Sequence, residues 1–69
     1  MAYLDNIATF VRVYELGNMS AAARDLRISA AVASSRISQL ESHLNVRLFQ
    51  RTTRSLSPTE RGHMFYRGA

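Results

Sequence analysis

On a helix drawn through residues 30–44, Ala31, Ser34, Ser35, Ser38, Gln39 and Ser42 fall on one face. A serine hydroxyl both donates and accepts hydrogen bonds, so this face can bond to phosphate oxygens or to nucleobase edges. Gln39 carries the amide that pairs with adenine wherever it reaches one. A polar helix face is ordinarily just a solvated face. Solvated faces are usually built from Lys and Glu, however, and serine is only a middling helix former. A face of short side chains instead lets the helix backbone come close to a ligand.

A second group of residues fits the same chemistry. Arg51-Thr52-Thr53-Arg54 places two guanidinium groups on either side of two hydroxyls. Such a pair can straddle a phosphate backbone, and one member can enter a narrow A·T-rich minor groove, where negative potential is concentrated. The run is weak evidence by itself and gains weight from its place in the charge pattern. Residues 1–45 hold Arg12, Arg24, Arg27 and Arg36 against Asp5, Glu15, Asp25 and Glu41, and sum to zero. Residues 46–69 hold Arg47, Arg51, Arg54, Arg61 and Arg67 against Glu60, which supplies the whole net charge of +4. A localised cationic patch is what a polyanion binds. Every cation is arginine, as suits bidentate phosphate contacts, although a GC-rich genome gives the same bias.

Other chemistries lack their residues. Catalysis by a nucleophile needs a base within reach. The histidines, His43 and His63, lie in separate elements, and the chain has no HxxxH, no CxxC and no glycine-rich phosphate loop. No enzyme, metal site or cofactor is expected. The longest apolar stretch is far too short to cross a bilayer, and no secretory signal opens the chain. The polar face of the first helix is not basic enough for a membrane surface. The polar tip lacks an aromatic platform for stacking RNA bases. The absence of cysteine fits a reducing cytoplasm.

The elements that must hold these groups can be read from spacing. Sixty-nine residues, 46% of them hydrophobic, make one small domain. A first helix spans about Leu4 to Leu16. Leu4, Ile7, Ala8, Phe10, Val11 and Tyr14 form its apolar face, and Asp5, Asn6, Thr9 and Arg12 lie opposite. Gly17-Asn18 stops it. Ser20 can cap a second helix over Ala21 to Leu26. After the turn Arg27-Ile28-Ser29, Ser29 can cap a third helix over Ala30 to Leu44, with a core face of Ala30, Ala33, Ile37, Leu40 and Leu44. Asn45 ends it in the left-handed region. Two helices joined by about three residues match a helix-turn-helix, whose second helix enters a major groove.

From Val46 the helical period fails. Leu48, Phe49 and Leu56 flank a polar tip and read as a small hairpin. Ser57 and Glu60 have capping-box spacing with Pro58 at the first helical position, and Thr59 is a rival cap. Thr59 to Ala69 reads as a helix without a stop signal, as expected of a piece of a longer polypeptide.

These stretches together resemble a known family, the N-terminal winged helix-turn-helix domain of LysR-type transcriptional regulators. The resemblance rests on Phe10-Val11, on Met19-Ser20-Ala21-Ala22-Ala23-Arg24-Asp25-Leu26, on Ser29 through Glu41, and on Leu40-Glu41. The densest part runs from Leu44-Asn45-Val46-Arg47-Leu48-Phe49-Gln50-Arg51 through Thr52-Thr53-Arg54, then Leu56-Ser57-Pro58-Thr59-Glu60-Arg61-Gly62. The chain departs from the family in three places. The family often carries Gln-Pro at Ala30-Ala31, Arg or Lys at Ser35, and glycine at Asn45. Without those long residues, readout would lean on Ser34, on neighbours such as Arg36, and on the wing.

The resemblance implies a mainly α fold. A three-helix winged helix-turn-helix with a two-stranded wing fills residues 1–58, and a linker helix starts within residues 59–69. It implies double-stranded DNA as partner, on an interrupted palindrome. The DNA-binding set is then Ser20, Ser29, Ala30, Ala31, Ser34, Ser35, Arg36, Ser38, Gln39, Arg51, Thr52, Thr53 and Arg54. Self-association through the linker helix, a small-molecule effector bound by a further C-terminal domain, and a place in the bacterial cytoplasm at the nucleoid are implied as well. The alternative is a winged helix that docks on protein rather than DNA.

Overall fold

A computed structural model of the chain describes residues 2–51 and 56–68, with the side chains of residues 3–50 and 56–68. The expected tip residues Thr52, Thr53 and Arg54, and the side chain of Arg51, lie outside the described residues. The element order is α1 (Ala2–Leu16), α2 (Met19–Leu26), α3 (Ala30–Leu44), β1 (Phe49–Arg51), β2 (Leu56–Pro58) and α4 (Glu60–Gly68).

The helix ends follow from capping chemistry. Gly17 takes φ +68° and donates its N–H to the Val13 carbonyl at 2.8 Å, closing α1. Asn18 is extended, and its side chain accepts from the Ala21 N–H at 3.0 Å, so it caps α2. The expected cap Ser20 lies inside the helix, because α2 begins at Met19, two residues before the expected Ala21. Arg27 closes α2 in the left-handed region, and Ile28 N–H reaches back to the Ala23 carbonyl at 2.9 Å. Ser29 caps α3 by accepting from Val32 N–H at 3.1 Å, and Asn45 ends it at φ 57°.

The core is Phe10, Val13, Ala22, Ile37, Leu40, Leu48 and Phe49. Phe10 is its hub, with ring centroids of Phe49 at 5.3 Å and of Phe65 at 5.2 Å. Ala22 and Ala23 are buried, and their small side chains let α2 press close to the other helices. The buried stripe of α1 is Asn6, Thr9, Phe10 and Val13, rotated from the expected apolar face. Leu4 is 65% exposed and Ala8 is exposed as well. Two polar residues tolerate burial because both are bonded. Thr9 Oγ1 donates to the Asp5 carbonyl at 2.8 Å, and Asn6 Nδ2 donates to Gln39 at 3.4 Å. On α3, Ala33, Ile37 and Leu40 are buried, Leu44 is half-buried against the core, and Ala30 is exposed.

The hairpin is antiparallel, with Phe49 opposite Pro58, Gln50 opposite Ser57 and Arg51 opposite Leu56. Its base is tied on both sides. Glu41 Oε2 on α3 accepts from Leu48 N–H at 2.8 Å and Phe49 N–H at 3.2 Å. Thr59 donates its N–H to the Leu48 carbonyl at 2.9 Å and its hydroxyl to the Arg47 carbonyl at 2.6 Å. The same hydroxyl accepts from Gly62 N–H at 3.1 Å, which makes Thr59 the cap of α4. Ser57 and Pro58 belong to β2 instead, so the capping-box arrangement does not form.

Candidate nucleic-acid interface

α3 is fixed from behind and open in front. Its inner residues Ala33, Ile37 and Leu40 lock the helix onto the core. Ala31, Ser35, Ser38, Gln39 and Ser42 are exposed on the outer side, as the helical period predicts, and Ala30 joins them at the first turn. Ser34 is half-buried at the edge of this face. Ser29 is exposed, but its hydroxyl already serves as the α3 cap. Ser20 is exposed on the first turn of α2.

Behind the face, α1 and α3 share a polar seam that the sequence did not reveal. Asn6 donates to Gln39 Oε1, and Gln39 Nε2 donates to Ser35 Oγ at 3.4 Å. Arg36 is half-buried, with Nη1 donating to Thr9 Oγ1 at 3.4 Å. Asn6, Ser35, Arg36 and Gln39 help line an open depression of about 260 Å³. Gln39 and Arg36 are therefore steadied from α1 rather than waving from a solvated helix. The available signal was the spacing of Asn6, Thr9 and Val13, which follows the helical period of a buried stripe despite two polar members.

The cations divide into two groups. Arg12 is spent: its Nε donates to Asp25 at 2.8 Å and its Nη1 to Glu15 at 2.9 Å. Asp25 first and Glu15 second raise the Arg12 pKa further above its ordinary value. Arg24, Arg27, Arg47, Arg61 and Arg67 are exposed, and among the described residues none of them forms an ion pair. A hydrogen bond from Tyr66 holds the Glu15 carboxyl below the usual carboxylate range, with Arg12 adding to the effect. The same bond raises the Tyr66 phenol. His43 and His63 are both exposed, on α3 and α4 respectively. Among the described residues, no group of three His, Asp or Glu side chains is placed to hold a metal ion, and no helix is long and apolar enough to cross a membrane.

A helix-turn-helix in α2 and α3, braced by α1 and followed by an antiparallel hairpin, defines a winged helix-turn-helix protein. The chain belongs to the lysR family of bacterial regulatory helix-turn-helix proteins, whose sequence profile matches residues 4–63. It is similar to an HTH-type transcriptional regulator of Haemophilus influenzae, 48% identical over 66 residues, which are 96% of this chain and 23% of that protein. It is also similar to the HTH-type transcriptional activator AaeR of Escherichia coli K12, 41% identical over 68 residues, 99% of this chain and 22% of that protein. The chain thus spans under a quarter of the length of these curated relatives.

Two solved structures resemble its fold closely. One is the DNA-binding domain of BenM in complex with benA site 1 DNA, with a TM-score of 0.89 and 34% identity over 94% of this chain and 73% of that one. The other is full-length CbnR complexed with its target DNA, with a TM-score of 0.88 and 34% identity over 93% of this chain and 22% of that one.

Proposed function

We propose that this chain is the DNA-binding unit of a LysR-type transcriptional regulator, taking double-stranded DNA with α3 in the major groove and the hairpin wing at the adjacent minor groove and backbone. The observation that carries the reading is the outer face of α3. It is short, hydroxyl-rich and exposed, on a helix whose inner side is fully buried. Its fold matches two proteins solved with DNA. Ala30, Ala31, Ser34, Ser35, Ser38 and Gln39 supply the groove face, with Arg36 at its edge. Ser20 and Ser29 stand by the phosphates at the helix starts. Arg51, Thr52, Thr53 and Arg54 form the wing contact.

In this reading residues 1–58 are the winged domain and residues 59–69 begin a linker helix. The linker pairs with that of a second subunit, so two winged domains sit on one interrupted palindrome. The relatives extend well beyond the shared stretch, which supports a further domain for a small-molecule effector. The parent protein is a cytoplasmic regulator at the nucleoid and not an enzyme.

The test is to select duplexes from a random pool with the purified chain, then titrate the selected and a scrambled duplex across a salt series. Sequence-dependent binding is expected, with log affinity falling linearly in log salt. Binding that ignores both sequence and salt overturns the reading.

A further inference from the structure

α4 is described from Glu60 to Gly68, and the direction in which it leaves the winged domain is set by what these residues touch. Phe65 packs edge-on against Phe10, but an apolar contact alone lets a short helix roll or slide. Apart from the Thr59 cap and the close approach of Gly62 to Leu48 at its base, the remaining contacts are directional. The rings of Tyr14 and Tyr66 stack at 3.9 Å, only 10° from parallel. Tyr14 Oη and His63 Nδ1 are joined by a hydrogen bond of 2.7 Å. Tyr66 Oη donates to Glu15 Oε2, also at 2.7 Å. The other Glu15 oxygen accepts from Arg12, which bonds Asp25 on α2.

We propose that Tyr14, Glu15, His63 and Tyr66 form a clasp that fixes the angle at which α4 leaves the winged domain. They are positioning residues for DNA binding by a paired regulator. The inference rests on the DNA-binding reading above and on α4 being the start of the pairing helix. The two ties sit three residues apart on α4 and on adjacent residues of α1, and each uses the hydroxyl of one of the stacked rings. Two bonds at separate points together with a stack resist both tilt and roll, where one would permit rotation about itself.

The leverage is large. A nine-residue helix is about 13 Å long, so a tilt of about 20° at its base moves its far end by roughly 5 Å. That exceeds one base-pair step of about 3.4 Å. In a paired regulator, such a shift changes the separation of the two recognition helices, and half-site spacing is read geometrically.

The chain contains no cysteine, so Ser42→Cys on α3 and Arg67→Cys on α4 give two unique spin-label sites. Pulsed electron paramagnetic resonance then reads the α3–α4 distance distribution in the folded chain. The parent should give one narrow peak. Tyr66→Phe, which keeps the stack and loses the tie to Glu15, should about double its width, as expected when a docked element gains a second arrangement. Tyr66→Leu should broaden it further. Glu15→Gln retains an acceptor for Tyr66 and should stay narrow. Circular dichroism should show all three folded, and in the cysteine-free chain, with Ser42 on the outer face of α3 left unaltered, affinity for a single half-site duplex should be unchanged by each substitution. Unbroadened peaks in both Tyr66 variants, with DNA binding intact, overturn the clasp alone. An unaltered chain that binds no half-site overturns the reading beneath it.

Discussion

Gly62 is the residue at which the fold tolerates no side chain. A Cβ built there would lie 2.2 Å from the Leu48 carbonyl oxygen, which is backbone and already accepts from Thr59 N–H. Gly62→Ala should therefore push α4 off the base of the wing and cost about 1–3 kcal/mol or more by overpacking, read as a lowered urea midpoint. Gly68→Ala meets nothing within 4 Å and is the matched control. Equal midpoints for the two would mean that α4 does not press on the β1 approach. The family resemblance placed Gly62 in a motif without giving its reason; the reason is this close approach. Glu41 was equally opaque, because nothing in its sequence neighbourhood says that its carboxylate will accept from two amides seven and eight residues on. On the outer face, Ser35 carries the base-reading expectation better than the half-buried Ser34. Ser35→Ala should weaken binding to a selected duplex by about 1 kcal/mol and spare a scrambled one. An equal loss on both duplexes would make Ser35 a phosphate contact only.

Helix period, caps and turn residues made the elements legible, because those signals are local. α3 came out with its expected ends, and Ile37 and Leu40 in its core, since one strong apolar stripe faced a polar one. The face of α1 was misjudged because aliphatic residues outnumber the buried positions. Leu4 stays in solvent, while Thr9 is buried at no hydrogen-bonding loss by bonding within its own helix. The docking of α4 on α1 was illegible, since it joins residues about fifty positions apart. That docking has a pH signature. Glu15 is depressed below its ordinary 4.5, so its contribution is complete above that value and is lost as pH falls through the lower folded value. Tyr66 is raised above 10.0, so its contribution is complete below that value and is lost as pH rises through the folded value. Thermal melts between about pH 7 and about pH 3 should show the parent losing more stability than Glu15→Gln, whose amide keeps the Tyr66 bond without titrating. Parallel losses would mean that the ionised form of Glu15 adds nothing to the fold beyond what a neutral acceptor gives.

Across the whole molecule the charges are sorted by use. Residues 1–45 sum to zero, and within them Arg12 bridges Asp25 and Glu15. The stretch after Asn45 carries the entire net charge of +4, and no acid interrupts it before Glu60. A uniform spread of nine arginines would attract DNA weakly from every side, whereas on the proposed reading this distribution favours approach by the wing. Arg54 is the cation that the sequence assigns to the wing. Arg54→Ala should weaken duplex binding by about 1–3 kcal/mol and make the salt slope shallower by about one phosphate's worth. The loss should be largest on A·T-rich flanks, where the minor groove is narrow and its potential most negative. Arg54→Lys should restore only part, because a strongly hydrated ammonium gives up more on entering a groove than a guanidinium does. Arg12→Ala is the control, since that guanidinium already has two carboxylate partners on another face and exposed ion pairs contribute little. If Arg54→Ala and Arg12→Ala titrate alike at every salt concentration, the hairpin is no DNA contact, and a winged helix that docks on protein becomes the better account of this chain.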